Sequence, residues 1–430
     1  MIAKTPRPHT RRVSPLRMKT MNTVGLLTLL REHGPLSRSD LARITRLSKP
    51  TVSEQVTDLI SRGLVVETGA KKPGSQRGKK PTMLQFNEDC GRVIAARISS
   101  TGVQVWEARL DGTLTHQAVL PIHLELGPGD VIQTLKDAIR PLLNHGSGDT
   151  ARRRLISIAT PGLVDVRNGI VLETDNIFGW RNVALGADLN WEFGVPVVVD
   201  NDVNLAVLAE ARFGGGQDQH SFALIQLDTG IGLGVYLNGA AYHGQHWAAG
   251  EIAHMVLDPA SIGSPTGGRG HLESAVAMDR VTERVLQLAL ATPGPLAGLL
   301  KRMPPVEALL EAESQGHAPA GELARELAET LGVAIVNVSA CYDPGKIILL
   351  GPLFTSLFGR IRTVFESIIR WPVKLELSSL GEDVFLRGAL VAGLARIFDR
   401  MDLELENPAP AGGVGGTSAQ PKEEPAIEQA

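Results

Sequence analysis

Residues 48–67, SKPTVSEQVTDLISRGLVVE, decide the fold of the N-terminal part of the chain. Ser48 is a typical helix N-cap residue, and Pro50 falls in the first helical turn, where its missing N–H costs no hydrogen bond. Apolar side chains then recur at helical spacing as far as Gly63, and a glycine commonly ends a helix. The stretch therefore predicts a capped helix, followed by a strand at residues 64–67.

The segments around this helix complete a recognisable unit. Apolar residues from Val24 to Leu30 predict a first helix that stops near Gly34, and Ser37 with Asp40 three residues later predicts a capped second helix. A loop at residues 71–81 and a strand at 82–86 follow the third helix. Three helices and a hairpin in this order predict a winged helix-turn-helix.

The third helix and the loop after it carry the side chains suited to DNA. Polar residues at the start of a recognition helix face base edges in the major groove. The loop holds five cations and no acid over eleven residues, which suits phosphates or the minor groove. We expect DNA contacts from Ser48, Lys49, Thr51, Ser53, Gln55, Lys71, Lys72, Arg77, Lys79 and Lys80. A short three-helix unit that serves dimerisation or protein binding is the alternative.

The charge distribution favours DNA as the partner of this unit. Residues 1–86 have a net charge of +12 and the remainder has −15, although the whole chain is at only −3. A basic front on an acidic body is typical of nucleic-acid contact by the front alone, and a charged, solvated surface is the alternative. Residues 1–20 hold six cations and no acid and predict a disordered basic arm, and the winged helix-turn-helix takes residues 21–86.

Composition excludes several classes of protein. The chain has 430 residues, of which 43% are hydrophobic, enough for a large buried core. Its two cysteines, Cys90 and Cys341, rule out a disulfide framework and a four-cysteine zinc site, and they fit the cytosol. The chain contains no apolar run long enough for a membrane span and no secretory signal. Residues 406–430 are rich in Pro, Gly and Ala and predict a disordered tail.

Residues 87–405 predict an α/β body. Three strands between residues 93 and 121 are followed by alternating helices and buried strands, a pattern typical of α/β folds. The length is sufficient for two lobes with a ligand cleft between them.

Five motifs in this body resemble those of the ROK family, the repressors, open reading frames and kinases that act on or sense sugars. They are Ala159–Asp165, Asp200–Asn204 followed by Ala209-Glu210, Asp228–Gly234, Ala249–His254 and Gly270–Glu273. The resemblance runs from about Asn22 to Arg400, and the winged helix matches the repressor branch. It implies a two-lobed, actin-like sugar kinase fold for residues 87–405.

The resemblance also implies a sugar site. In the kinases of the family, the residue that matches Asp202 is the general base toward a sugar hydroxyl, and the groups that match Asn201, Glu251, His254 and Glu273 hold the sugar. Such carboxylates and amides suit sugars, because a mismatched hydroxyl leaves a buried polar group unpaired. For Asn201 and Asp202 the alternative role is turn formation and capping of the next helix.

The chain departs from the family where the kinases hold phosphate. Their first turn has an Asp-x-Gly-Gly-Thr pattern, whereas here Arg97 replaces the acid and Ser99-Ser100 replace the glycines. Mg²⁺ prefers a carboxylate, and close approach to a phosphate needs glycine. The second phosphate turn, Asp228–Gly234, persists, but a tight hairpin explains it equally well. We therefore expect neither bound ATP nor kinase activity.

A second departure concerns zinc. Members of the family typically bind structural zinc through three cysteines, and the matching positions here are Ser264, Thr266 and His271. Hydroxyls are poor zinc ligands, so we expect no metal and a loop held by hydrogen bonds. Weak binding by His254 and His271 with water is the alternative.

These patterns together predict a cytoplasmic, sugar-responsive transcriptional regulator. The expected partners are operator DNA, a monosaccharide effector and a second copy of the chain in a dimer, and the expected effect of the sugar is release of a repressor from its operator. Two alternatives stay open: an ATP-dependent sugar kinase with an added DNA-binding domain, and a DNA-binding protein that no longer responds to sugar.

Overall fold

A computed structural model describes residues 15–69, 82–122, 127–143, 153–174, 177, 179–266 and 268–406. The described residues form two compact units, one made of those up to residue 87 together with those from residue 398 onward, and the other of those between residues 88 and 397. None of the helices in the described ranges is both long and apolar enough to cross a membrane.

The N-terminal unit is the predicted winged helix-turn-helix. It contains, in order, α1 (Pro15–His33), β1 (Leu36–Ser37), α2 (Arg38–Thr45), α3 (Lys49–Ser61), β2 (Val65–Thr68) and β3 (Met83–Phe86). The three strands form a sheet in the order β1-β3-β2. The loop between β2 and β3, which carries Lys71, Lys72, Arg77, Lys79 and Lys80, lies outside the described residues.

Both predicted caps are formed. The Ser37 hydroxyl accepts a hydrogen bond from the Asp40 amide at 3.1 Å, and the Asp40 carboxylate accepts from the Ser37 amide at 3.2 Å, a complete capping box at the start of α2. Ser48 caps α3 by accepting from the Thr51 amide at 3.3 Å. Leucines and valines of the three helices are fully buried against one another, which fixes the unit: Leu26, Leu27, Leu41, Val52, Val56 and Leu59.

The first helix begins earlier than the sequence predicted. We expected a disordered arm as far as residue 20, but α1 starts at Pro15. Proline is favoured at the first position of a helix, where its fixed φ is already helical and its missing N–H is not needed. Residues 1–14 of the predicted arm and residues 407–430 of the predicted tail lie outside the described residues.

The first lobe of the larger unit is built on a mixed sheet. Its elements are β4 (Arg92–Ser99), β5 (Gly102–Arg109), β6 (Leu114–Leu120), α4 (Pro128–Leu143), β7 (Arg154–Thr160), β8 (Leu163–Asp165), β9 (Ile170–Glu173), β10 (Arg181–Val183), α5 (Leu185–Phe193), β11 (Val197–Asn201) and α6 (Asp202–Phe213). The sheet runs β11-β7-β4-β5-β6, with β4 parallel to β7 and β7 parallel to β11. The three short strands β8 to β10 form a separate sheet.

The second lobe repeats this plan with more helices. Its elements are β12 (Ser221–Leu227), β13 (Ile231–Leu237), β14 (Ala240–Ala241), α7 (His271–Val276), α8 (Met278–Ala291), α9 (Leu296–Leu299), α10 (Pro305–Ser314), α11 (Ala318–Tyr342), β15 (Lys346–Leu350), α12 (Pro352–Ile368), β16 (Lys374–Leu377) and α13 (Val384–Glu406). The sheet order is β14-β13-β12-β15-β16. Two lobes, each with a five-stranded sheet, agree with the α/β body predicted from the sequence.

The last helix departs from the predicted domain boundaries. We assigned residues 87–405 to the body, but residues from Phe398 onward belong to the N-terminal unit. There the Phe398 ring lies 6.0 Å from Phe86, the Arg31 guanidinium lies 4.5 Å above the Phe398 ring, and Arg31 is paired with Asp402 at 3.3 Å. Met401 and Leu405 are also buried. Apolar residues at 398, 401 and 405 follow helical spacing, so one face of the helix end completes the core of this unit.

Candidate ligand cleft and nucleic-acid interface

A cavity of about 180 Å³ in the larger unit gathers all five residues predicted to hold a sugar. An engineered protein cavity of about 150 Å³ accepts a benzene molecule, so the space suits one ring-sized ligand. The lining comes from the ends of β4, β7 and β11 and from the loops around β12 and β13. It includes Arg97, Ser99, Gly162, Asn201, Asp202, Asp228, Gly230, Trp247, Glu251, His254 and Glu273.

Asn201 connects the backbone segments that form one wall of the cleft. It ends β11, and its Oδ1 accepts hydrogen bonds from the amides of Val203 at 2.9 Å and Asn204 at 3.1 Å, which caps α6. Its Nδ2 donates to the Gly162 carbonyl at 2.9 Å. The capping role that the sequence left open is thus present at Asn201, and it ties β11 to the loop after β7.

Asp202, the first residue of α6, is half-buried in the wall of the cleft. Its Oδ1 accepts from the Val203 amide at 2.9 Å, and no described group hydrogen-bonds its Oδ2. Burial raises the pKa of Asp202 to about 6, although the positive charge of Arg97 and the Val203 amide act in the opposite direction. Asp202 therefore offers the cleft one acceptor oxygen whose charge changes near neutral pH.

Glu251, His254 and Glu273 reach the cavity from neighbouring turns. Glu251 precedes a 3₁₀ turn, Ile252–His254, and Glu273 lies in the first turn of α7. The Glu273 Oε2 accepts from the Ile231 amide at 3.3 Å, and its Oε1 lies 3.9 Å from the Arg269 Nε. These contacts fix Glu273 beside the hairpin between β12 and β13.

Arg97 stands in the segment that corresponds to the first phosphate-binding turn of the ROK kinases. The Arg97 guanidinium lies 3.0 Å from the Glu382 carboxylate and 3.8 Å from the centre of the Phe385 ring. In the turn after β4, the Ser99 hydroxyl donates to the Gly102 carbonyl at 3.0 Å and so closes the turn on itself. A guanidinium repels Mg²⁺, and the serines at this turn lack the conformational freedom with which glycines let backbone amides approach a phosphate, so these residues do not fit a magnesium nucleotide.

The second phosphate turn is a tight hairpin. The Asp228 amide donates to the Gly230 carbonyl at 2.9 Å across the turn between β12 and β13. Gly234 is needed for packing, since a Cβ there would lie 2.5 Å from Val207 and 2.7 Å from the Val203 carbonyl of α6. Burial raises the pKa of Asp228, and the nearby Glu382 carboxylate raises it further. Gly234 therefore has a structural reason that involves no phosphate.

Hydrogen bonds order the loop in which the family holds zinc. The Ser261 hydroxyl donates to the Asp258 carbonyl at 2.7 Å and lies 3.4 Å from His271 Nδ1, and the Ser264 amide donates to the Ser261 carbonyl at 3.0 Å. Throughout the described ranges, no three His, Cys, Asp or Glu side chains are grouped so that they could hold a metal. Two hydroxyls and an imidazole at the family positions do not fit a structural zinc ion.

The exposed surface of α3 contains most of the residues predicted to contact bases. Ser48, Lys49 and Ser53 are exposed, and Thr51 is half-buried with its Oγ1 2.7 Å from the Ser48 Oγ. Thr57, which the sequence analysis did not name, is exposed one turn after Ser53, and its hydroxyl donates to the Ser53 carbonyl at 2.8 Å. The start of α3 thus presents small hydroxyls and one cation.

Gln55 contradicts the prediction. Its side chain is only 2% exposed, and its Oε1 has no hydrogen-bond partner in the described part of the chain. Gln55 lies three residues after Val52 and four before Leu59, so helical spacing places it on the buried face of α3. That spacing was readable in the sequence, and Gln55 is removed from the DNA-contacting set.

Further residues of the site come from segments that the five motifs do not cover. Glu382 and Phe385 lie outside the cavity lining but hold Arg97, and both are remote from it in the sequence. Trp247 lines the cavity and lies in the loop before Glu251. The sequence signal that could have indicated this role is its position in a glycine-rich stretch. Thr174 and Ile177 line the cavity from the region after β9.

Comparison with known proteins agrees with this architecture. The xylose repressor of Caldicellulosiruptor bescii is 23% identical over 383 residues, which are 87% of this chain and 95% of that protein. The N-acetylglucosamine repressor of Escherichia coli O157:H7 is 26% identical over 345 residues, 78% of this chain and 81% of that protein. A crystal structure titled as a ROK family transcriptional regulator, homolog of E. coli MLC protein, has a TM-score of 0.72 at 26% identity and covers 91% of this chain and 99% of its own.

Family models match both units. The MarR family model matches residues 20–74, within the winged helix-turn-helix. The ROK family model matches residues 114–391, which is well over half of the chain and includes every cleft motif after β6. The chain therefore belongs to the ROK family.

Proposed function

We propose that the protein is a sugar-responsive, DNA-binding transcriptional regulator, a repressor that a monosaccharide releases from its operator. The observation that carries the proposal is the cleft itself. One cavity gathers Asn201, Asp202, Glu251, His254 and Glu273, while a cation occupies the phosphate turn, in a chain that also folds a winged helix. The similarity to a xylose repressor and to an N-acetylglucosamine repressor supports the same proposal.

In this proposal the cleft recognises sugar hydroxyls and performs no chemistry on them. Asp202 Oδ2 accepts a hydrogen bond from one hydroxyl, and Glu251, His254 and Glu273 supply further acceptors and donors. A hydrogen bond to a charged acceptor contributes about 1.5–3 kcal/mol, so the loss of Asp202 weakens sugar binding by roughly ten- to a hundred-fold. The sugar lowers DNA affinity only if it binds the non-DNA-binding state more tightly.

The DNA side of the proposal rests on α3. Ser48, Lys49 and Ser53 are exposed at its start, as the base-contacting residues of recognition helices are. The cations of the loop after β2 and of the basic arm supply phosphate contacts. We propose a homodimer that binds two half-sites, since helix-turn-helix proteins commonly bind paired half-sites as dimers. We also propose that the protein acts in the cytoplasm, where it meets its DNA. Light scattering of the purified chain tests the dimer.

Sugar-dependent release of DNA tests this function. The full chain selects its operator from a library of genomic fragments, and mobility shifts are then measured with D-xylose, D-glucose and N-acetyl-D-glucosamine. One of these sugars should release the parent protein. Asp202→Ala should bind the operator as the parent does and stay bound at sugar concentrations that release the parent.

A matched variant separates a ligand role from a structural one. Asp188→Ala removes another acid from the first turn of a helix, α5, but outside the cavity, and should respond to sugar like the parent. If Asp202→Ala releases DNA at the parental sugar concentration, the sugar-site assignment is wrong. If Asp202→Ala only lowers the melting temperature and keeps its response, Asp202 acts in α6 and not on a ligand.

A second candidate function is an ATP-dependent sugar kinase with an added DNA-binding domain. The observation that favours it is Asp202, because a carboxylate with a pKa of about 6 suits a general base near neutral pH. Arg97 at the phosphate turn opposes it. Turnover of ATP in the presence of the same sugars separates the two functions. A third possibility, a ligand-independent DNA-binding protein whose sugar site is vestigial, is excluded if a sugar raises the melting temperature, as a bound ligand does.

A further inference from the structure

Trp247 has an unusual backbone for its residue type. Its φ is +64°, in the left-handed region that bulky residues rarely adopt. It is also half-buried and borders the cavity, whereas Trp180 of the first lobe is 1% exposed in the core. An unfavourable backbone conformation at the edge of a ligand cavity is a feature that folding alone does not require.

The position of the indole is fixed through the strand that carries the predicted ligands. His243 Nε2 lies 2.8 Å from Asp200 Oδ2, and Asp200 is buried at the end of β11, directly before Asn201. The His243 ring then meets the Trp247 ring edge to face, with centroids 5.9 Å apart and an interplanar angle of 70°. The Ala249 amide donates to the His243 carbonyl at 3.2 Å and closes the loop around Trp247.

The indole supplies a kind of contact that the five predicted sugar residues lack. Those residues are carboxylates, an amide and an imidazole, which recognise hydroxyls. A cyclic sugar also has a face of C–H groups, whose weak positive charge is attracted to the negative face of an aromatic ring. Trp247 is the largest apolar side chain among the residues that line the cavity. It is therefore suited to the C–H face of a sugar, which the polar groups do not recognise.

Resting on the proposed function, we propose that Trp247 is a stacking platform for the C–H face of a cyclic monosaccharide and makes the cleft selective for ring sugars over open-chain polyols. Xylitol carries hydroxyls like those of D-xylose but has no ring. It leaves the platform without a flat partner and must also be ordered from many conformers. Asp200 and His243 act as positioning residues, because they hold the loop and the indole edge and lie outside the set that lines the cavity.

Tryptophan emission of the full-length protein reports this contact. D-xylose, D-glucose, N-acetyl-D-glucosamine and xylitol are titrated into the parent, Trp247→Phe, Trp247→Ala and Asp202→Ala. Trp191→Phe is the matched control, since Trp191 is 89% exposed and lies outside the cavity. We expect one cyclic sugar to change the emission of the parent and of Trp191→Phe, and xylitol to bind at least about tenfold more weakly.

The variants separate stacking from a merely structural role. Trp247→Ala should weaken binding of the cyclic sugar roughly tenfold and narrow the preference over xylitol, and Trp247→Phe should weaken it less, since a smaller aromatic face remains. Trp247→Phe should also lose most of the emission change, a readout that remains available if Trp247→Ala does not fold.

Each of the other outcomes contradicts either the stacking role of Trp247 or the proposed sugar response. If the sugar changes the emission of Trp247→Phe as it does that of the parent, and the affinities are equal, the platform is wrong. If only Asp202→Ala loses the sugar, the platform is wrong and the proposed function stands. If no cyclic sugar binds the parent, by emission or by melting temperature, the platform and the sugar response fall together.

Discussion

The Arg97 guanidinium lies 3.0 Å from the Glu382 carboxylate and rests 3.8 Å above the Phe385 ring. Arg97 lies in β4 of the first sheet, Glu382 lies just before α13 and Phe385 lies in the first turn of α13, so the contact joins the two lobes beside the cavity. The positive charge also acts on Asp202 and Asp228, where it lowers both pKa values against the larger effect of burial. A fixed cation thus stands at the sequence position where the kinases that this chain resembles carry the acidic residue of their first phosphate turn.

The first prediction concerns catalysis. With Mg-ATP, the purified protein should phosphorylate no common hexose or pentose above background, because Arg97 and Ser99 occupy the phosphate turn. A coupled assay over a sugar panel measures this. Turnover that is present in the parent and absent from Asp202→Asn would restore the kinase function.

The second prediction concerns pH. Asp202 has a native pKa of about 6 and a reference value of 3.8, so between about pH 4 and 6 the native state holds a proton that the unfolded chain has lost. The free energy of unfolding therefore falls as the pH rises from about 4 to 6. Above pH 6 Asp202 is charged in the native state, and the full cost of burying that charge is present. Asp202→Asn keeps an acceptor for the Val203 amide and should raise the free energy of unfolding by about 1–3 kcal/mol at pH 7.5.

At pH 4 the same variant should match the parent, because Asp202 is then largely neutral. Calorimetry at both pH values measures the difference. A stabilisation that is equal at pH 4 and pH 7.5 would show that the charge of Asp202 is not its source.

The third prediction concerns the two faces of α3. Gln55→Leu should raise the free energy of unfolding by about 1 kcal/mol, since a buried Oε1 without a partner is replaced by an apolar group of similar size. Its operator preference should stay that of the parent. Ser53→Ala, on the exposed face, should leave stability within about 0.5 kcal/mol and change DNA binding. Urea unfolding and binding to operator variants test the pair, and a changed sequence preference in Gln55→Leu would return Gln55 to the interface.

The fourth prediction concerns the basic loop after β2. Changing Lys79 and Lys80 together to Ala should weaken binding to all DNA sequences alike and lower the salt slope, because each lost phosphate contact reduces counterion release. Binding is measured between 50 and 200 mM salt, roughly the range over which such contacts dominate. Changing Lys301 and Arg302 of the larger unit to Ala is the control for the change in net charge. An unchanged slope in the Lys79/Lys80 variant removes the loop from the interface.

The fifth prediction concerns metal. Chelation should leave the melting temperature of the parent unchanged, whereas Ser261→Ala should cost about 1 kcal/mol, because Ser261 joins Asp258 and His271. Ser264→Ala is the matched control, since its side chain is exposed in the same loop. Elemental analysis completes the test, and stoichiometric zinc that is lost in His271→Ala would contradict it.

Features that depend on residues close together in the sequence were predicted better than features that depend on contacts between remote segments. Ser37, Ser48 and Pro50 act on neighbouring backbone groups, so the helix starts of the winged unit were readable from the sequence. The five cleft residues followed from the resemblance of their motifs to those of the ROK family. Gln55 is the exception, because its polarity indicates an exposed position whereas its spacing from Val52 and Leu59 places it on the buried face of α3.

What the sequence could not predict depends on contacts between distant segments. Glu382 follows Arg97 by 285 residues, and no local pattern connects the two. The position of Trp247 depends on His243 and Asp200, which meet only after β11 and the loop before Glu251 have come together. The assignment of Phe398 to the N-terminal unit is of the same kind.

The contribution of Phe398, Met401 and Leu405 to the core of the N-terminal unit has a consequence for synthesis on the ribosome. The helices α1 to α3 are made first, but their apolar surface is covered in full only after residue 405 has been translated. At common elongation rates this delay is roughly 15–60 s, longer than most small domains need to fold. The core of the nascent winged helix therefore stays incomplete while the larger unit is made, and it is completed only in a chain that already carries residues 88–397.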